Sequence, residues 1–229
     1  KDMALSILPH LMITSARKNN IKNEIVILTA TSGDTGKAAL EGFKDVPGTE
    51  IMVFYPVEGV SDMQKRQMVT QEGENVTVCA VKGNFDDCQS GVKKIFTDHT
   101  VLDALEKGGM TFSSANSINW GRLVPQIVYY FAAYAQLLKA GRITFGDEVD
   151  FCVPTGNFGE IAYGDLLNVV VPTGNFGNIL AAYYAKMMGV PLGKLICASN
   201  INKVLTDFIR TGVYNRNRQF YPTTSPSMD

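Results

Sequence analysis

One seven-residue stretch occurs twice in this chain and limits its architecture more than any other feature. Val153-Pro154-Thr155-Gly156-Asn157-Phe158-Gly159 is repeated letter for letter as Val171-Pro172-Thr173-Gly174-Asn175-Phe176-Gly177. Each copy ends an apolar run, residues 149–153 or 166–171, of the kind that forms a buried strand running into a turn. The second copy leads into a helical pattern over residues 178–188, stopped by Gly189 and Pro191. Strand, Gly-rich loop, helix is an arrangement that binds phosphate. Glycines bring the backbone close to the ligand, and the N–H groups of the first helical turn point at the anion. A tight turn without ligand has the same local signature, so partners elsewhere in the chain must decide.

A second such unit lies upstream. Residues 24–30 read as a buried strand, Thr31-Ser32-Gly33-Asp34-Thr35-Gly36 follows at once, and a helix is expected over residues 37–43. It is not a Walker loop, because Ala38 follows Gly36-Lys37 where Ser or Thr is required. The remaining pattern alternates. Residues 1–12 have helical spacing with a kink expected at Pro9. Strands are expected at 51–55, 76–81, 111–114 and 195–198. Helices are expected at 61–71, capped by Ser61, and at 84–98, 119–140 and 201–210. The long helix places Leu123, Ile127, Tyr130, Phe131, Tyr134 and Leu138 on one face. Residues 213–229 read as a polar loop. Alternation at this spacing predicts an α/β fold of three αβα layers around mostly parallel sheets. Ligands in such folds bind beyond the carboxyl ends of the strands, where both Gly-rich loops lie.

Composition removes other function classes. A net charge of −1 gives no basis for nucleic acid or an anionic membrane as partner. No apolar run reaches membrane-spanning length, since Lys186 and Lys194 interrupt the best candidate. These residues read as containing no signal peptide, and the start at Lys1 rather than Met leads to the expectation that the natural N-terminus lies outside them, so the start gives no reading of targeting. The four cysteines show no C-x-x-C spacing, which suits buried free thiols in a reducing cytosol. With only His10 and His99, neither a metal site nor a Ser-His-Asp triad is expected.

Several stretches together resemble threonine synthase, of the pyridoxal-phosphate (PLP) fold-type-II, tryptophan synthase β-like superfamily. They are Lys1-Asp2-Met3-Ala4-Leu5, residues 29–36, residues 113–122, residues 172–178 and Ser225-Pro226-Ser227-Met228-Asp229. The likeness runs along nearly the whole chain. It implies that Lys1 forms the Schiff base with PLP and that Gly174, Asn175, Phe176, Gly177 and Asn178 hold the cofactor phosphate. It also implies that Thr31, Ser32, Gly33, Asp34 and Thr35 hold anionic groups of the substrate, and that Asn116, Ser117, Asn119 and Arg122 are substrate-binding residues as well. The reaction implied is conversion of O-phosphohomoserine and water to threonine and phosphate, by a cytoplasmic monomer or homodimer. On the residues alone, Asp34 serves equally as a helix cap, Asn116, Ser117 and Asn119 as caps of the long helix, and Arg122 as a solvated charge.

Three departures from the family pattern are visible. The family is expected to have a segment before the lysine and elements beyond the Ser-Pro-Ser-Met-Asp stretch, which these 229 residues do not include. The duplicated loop is not a family feature, and the repeat extends from Gly146 to Gly159 against Gly164 to Gly177 at a constant offset of 18. Residues 1–118 are expected to form a smaller, lysine-bearing domain, and 119–229 an incomplete larger one with the phosphate loop. The second copy is expected to be the working phosphate site, because only six residues, 160–165, lie between the first loop and the second expected strand near Leu166. Another fold-type-II enzyme of threonine dehydratase or cysteine synthase type remains open, as does a non-catalytic PLP-binding remnant.

Overall fold

The computed structural model describes residues 2–31, 33–58, 60–116, 119–151, 177–215, 217–219 and 221, and the backbone of 168–172. In chain order the elements are α1 (Asp2–Lys18), β1 (Glu24–Ala30), α2 (Asp34–Phe43), β2 (Thr49–Pro56), α3 (Asp62–Val69), β3 (Val76–Val81) and α4 (Phe85–Thr97). Then come α5 (His99–Lys107), β4 (Met110–Ser114), α6 (Trp120–Lys139), β5 (Asn168–Pro172), α7 (Gly177–Met187), β6 (Lys194–Ala198) and α8 (Val204–Thr211). The chain divides into two compact units, Lys1–Pro125 and Gln126–Asp229, and α6 runs through the division.

The first unit is built on a parallel four-stranded sheet in the order β3-β2-β1-β4. Ile27 of β1 stands opposite Ile51 of β2 and Ser113 of β4. β1 is central because it is apolar toward both faces. Ile25 and Ile27 pack with Ile51, Val53 and Tyr55 against Leu5 and Leu8 of α1, Leu40 and Phe43 of α2, and Met68 of α3. On the other face Leu28 and Ala30 pack with Met52 and Phe54 against Cys88, Val92 and Phe96 of α4. The expected parallel sheet covered on both faces is therefore present here.

Caps set the helix boundaries. Ser61 accepts from the Gln64 N–H and Gln64 reaches back to the Ser61 N–H, a capping box that starts α3 at Asp62. Asn84 and Asp87 do the same for α4. α5 is not expected from the sequence. Asp98 ends α4 and caps α5 by accepting from the N–H groups of Thr100 (2.9 Å) and Val101 (3.3 Å). None of α5's residues is buried. α1 also runs past its expected end at residue 12 and includes Pro9. Pro9 has no N–H to give the Leu5 carbonyl. That carbonyl faces Gly42 of α2 so closely that a Cβ there would lie 2.3 Å from it.

Asn75 ties three segments of this unit together. Its Nδ2 donates to the carbonyls of Phe43 (2.9 Å) and Thr49 (2.8 Å), and its Oδ1 accepts from the Asp45 N–H (2.7 Å). Asp45 sits at φ 54°, a left-handed conformation that Asp tolerates.

In the second unit β5 and β6 pair in parallel, with Val171 opposite Cys197. Ala181, Ala182 and Ala185 of α7 pack with Tyr130 and Tyr134 of α6 and with Val190 and Leu192. Phe131 departs from the expected buried face of α6, at 37% exposed. The strand expected at 149–153 also departs from the sequence reading among the described residues. Val149 makes one isolated parallel bridge with Leu192, and residues 150 and 151 lie outside any strand of more than one bridge. Of the described cysteines, Cys88 is buried, while Cys79 and Cys197 are half-buried, so the expectation of buried thiols holds for Cys88 alone among them.

Replacing Asn75 by Ala strips the amide from three backbone partners in a buried setting. The loss of stability expected is about 2–4 kcal/mol, read in urea unfolding as a lower midpoint at unchanged slope.

Candidate functional site

The carboxyl ends of β1 and β4 meet where the strand order reverses, since β1 leads to β2 on one side and has β4 on the other. Such a switch point is where open α/β sheets bind ligands. The Thr31 hydroxyl organises the loop there. It accepts from the N–H groups of Gly33 (3.0 Å) and Gly36 (2.9 Å) and donates to the Gly33 carbonyl (3.1 Å). Thr31 is buried, so its hydroxyl is committed to loop shape. Gly33 has φ 151° and ψ −102°, a conformation strained for any residue with a side chain. α2 begins at Asp34, earlier than the expected residue 37, so Asp34, Thr35 and Gly36 form its first turn. Asp34 is exposed and its Oδ1 accepts from Gln64 Nε2 at 2.7 Å.

Asn116 extends the β1–β4 ladder with its side chain. Leu28 pairs with Ser114, so Asn116 stands two register positions further on, opposite Ala30. Its Nδ2 donates to the Ala30 carbonyl (2.9 Å) and its Oδ1 accepts from the Ala30 N–H (3.3 Å). Asn119 caps α6, accepting from the Gly121 N–H (2.9 Å) while its Nδ2 donates to the Ser114 carbonyl (2.8 Å). Arg122 is not the solvated charge that its sequence context allows. It is 5% exposed, and its guanidinium donates to the Ala115 carbonyl (2.9 Å) and to Thr35 Oγ1 (3.4 Å). A permanent cation thus lies against the first turn of α2, whose N-terminus is itself positive. An anion at this place is favoured by both. Thr29 Oγ1, two residues before Thr31, is buried without a hydrogen-bond partner among the described residues.

The structure thus brings Thr31, Gly33, Asp34, Thr35, Asn116, Asn119 and Arg122 together at one sheet edge. Lys1, Ser32, Ser117, Gly174, Asn175, Phe176 and the first loop copy, residues 153–159, lie outside the described residues. Gly177 is buried at the start of α7, and the Asn178 carbonyl accepts from the Tyr130 hydroxyl at 3.1 Å. A strand, four residues and a helix opening on a buried glycine fit the phosphate end of PLP. Among the described residues, no His, Cys, Asp or Glu group is arranged to hold a metal ion. No helix among them is long and apolar enough to cross a membrane.

Two residues of this region escape a reading of the sequence. Gln64 is legible as the third residue after the cap Ser61, but its contact with Asp34 crosses 30 positions. Tyr130 is legible only as part of an apolar face. Burial pushes its hydroxyl up to about 12 from an ordinary 10.0.

Known proteins resemble this chain throughout. Threonine synthase-like 1 of Pongo abelii is 46% identical over 236 residues, covering all of this chain and 29% of that protein. Threonine synthase of Pseudomonas aeruginosa is 40% identical over 229 residues, covering all of this chain and 42% of its own length. A crystal structure of PLP-bound threonine synthase from Brucella melitensis superposes with a TM-score of 0.75 at 38% identity, over 99% of this chain and 42% of that one. The chain therefore spans less than half the length of these relatives. No family model matches the chain. The α/β fold with its parallel sheet is that of the PLP fold-type-II threonine synthases.

The raised Tyr130 value has a consequence for the second unit. A group held neutral by folding contributes stability below its unfolded value, and that contribution is lost as pH rises through the folded one. Thermal stability should fall between about pH 10 and 12 in the wild type, as Tyr130 ionises. Tyr130→Phe should lose the Asn178 bond, costing about 1 kcal/mol, yet show a shallower fall over the same range.

Proposed function

Because this chain is homologous along its whole length to threonine synthases, we propose that it carries part of a PLP-dependent lyase of that type. The reaction proposed is conversion of O-phospho-L-homoserine and water to L-threonine and phosphate. The observation at the site that supports it is the buried Arg122 guanidinium beside the first turn of α2, within 3.4 Å of Thr35. The proposed substrate and the cofactor each bear a phosphate, and the chain has two strand–loop–helix units of the anion-binding kind.

Lys1 is assigned the cofactor aldehyde and, once released from it, proton transfer at successive substrate carbons. Its amine must be neutral to attack, and neighbouring cations favour that form. Gly174, Asn175, Phe176, Gly177 and Asn178 are assigned the cofactor phosphate. Thr31, Ser32, Gly33, Asp34 and Thr35 are assigned the anionic groups of the substrate. Asn116, Ser117, Asn119 and Arg122 are assigned to the substrate as well, Arg122 through its contact with Thr35 of that loop. When bound, PLP supplies the electron sink for the carbanion chemistry. Of the two loop copies the second is assigned to the cofactor. It runs directly into α7, whereas the first places Glu160 where the second has Asn178, and a carboxylate there repels phosphate.

Added PLP should give the chain a visible absorption band that shifts on borohydride reduction. O-phosphohomoserine should then release inorganic phosphate, and serine or threonine should not be consumed faster. Asn175→Ala should weaken PLP binding roughly 10-fold to 100-fold, while Asn157→Ala should leave it near wild type. Consumption of serine or threonine in preference would make the chain a dehydratase type, and a band without turnover would make it a binding remnant. The reverse pattern between Asn175 and Asn157 would reassign the phosphate loop.

A further inference from the structure

Gln64 is the residue in the first unit whose side chain joins two otherwise separate loops at the sheet's carboxyl edge. It stands in the first turn of α3, after β2, and reaches the loop that follows β1. Its Oε1 accepts from the Ser61 N–H (3.4 Å) and Ser61 hydroxyl (3.1 Å), and its Nε2 donates to Asp34 Oδ1 (2.7 Å). These partners fix the orientation of the amide. Turning it over would set an oxygen against a carboxylate and an NH2 against an N–H.

The same amide occupies the space beside residue 33. A Cβ built on Gly33 would lie 2.4 Å from Gln64 Nε2 and 2.5 Å from its Cδ. Gly33 is buried, and its φ of 151° already excludes most side chains. Gln64 therefore holds Asp34 from one side and packs flat on Gly33 from the other. Between these two residues runs the backbone that turns from loop to helix. Thr31 fixes this turn from within, through the N–H groups of Gly33 and Gly36. Arg122 reaches it at Thr35. Of these three described supports, Gln64 is the one that comes from α3.

We propose that Gln64 is a positioning residue for the 31–36 loop: it sets the direction of the first α2 amides and thereby the loop's affinity for a phosphate-bearing ligand. This rests on the reading of that loop as the substrate-anion site. Gln64 touches no reacting atom and acts through Asp34 and Gly33.

The test uses the 15N-labelled full chain, with inorganic phosphate as the probe. In the wild type, phosphate should shift the amide signals of residues 33–36. Gln64→Met keeps the length of the side chain and adds no charge. It should displace those signals before any ligand is added and weaken phosphate binding about tenfold. Ser61→Ala removes the cap of α3 but leaves Gln64 and Asp34 intact, and should do neither. Gln64→Glu retains the capping box but sets two carboxylates together, so it should displace the loop. The double variant Gln64→Glu with Asp34→Asn restores the bond in reverse and should return the ligand-free signals toward wild type. Wild-type signals and affinity in Gln64→Met would overturn the proposal while leaving the anion site standing. Equal displacement in Ser61→Ala would also overturn it, by showing that the cap and not the Asp34 contact matters. A wild-type loop that ignores phosphate, with the Gln64 variants still displacing it, would instead remove the anion reading and with it the role proposed for Gln64.

Discussion

The pairing of β1 with two parallel neighbours is the constraint on which the first unit depends. A strand buried on both faces must satisfy every backbone group through its ladders, because no water reaches them. β1 does so through β2 and β4 until the ladder with β4 ends at Ser114. Asn116 then supplies the missing donor and acceptor for Ala30 from its side chain. The chain beyond Ala30 can therefore leave the sheet and turn into α2 without stranding a buried amide. Thr31, Gly33 and Arg122 are arranged around that departure. The candidate site is a consequence of ending a buried parallel strand.

Much of this is legible in the order of the amino acids. Apolar runs locate β1 and β3 to the residue, and cap residues locate the starts of α3 and α4. The expected site residues on the first sheet edge lie together because both segments follow parallel strands. What escapes is the bonding across sequence distance. Asn116 reads as a helix cap but works as a rung of the sheet. Arg122 reads as a surface cation at the start of an amphipathic helix, yet Thr35 and the Ala115 carbonyl draw it inside. Pro9 reads as a kink inside α1, and the Leu5 carbonyl that it leaves without an N–H lies against Gly42 of α2, where no side chain intrudes. Each of these outcomes is decided by a partner from another segment, and local pattern carries no record of such partners.

The duplicated segment poses a separate physical problem. Two copies of one strand and loop cannot both be neighbours in a parallel sheet when only six residues, 160–165, lie between them. Among the described residues, Val149 contributes a single bridge to Leu192, and β5, which ends in the first residues of the second copy, pairs with β6. Both copies carry the residues of an anion-binding turn, and α7 opens at Gly177, the last residue of the second.

The central claim is that this chain holds PLP through Lys1. Borohydride reduction in the presence of PLP, followed by proteolysis and peptide mass mapping, tests it without requiring turnover. One dominant phosphopyridoxyl group is expected on the side-chain amine of Lys1, lost when Asn175 is replaced by Ala. A label spread over surface lysines, or concentrated on another residue such as Lys37 or Lys186, would contradict it.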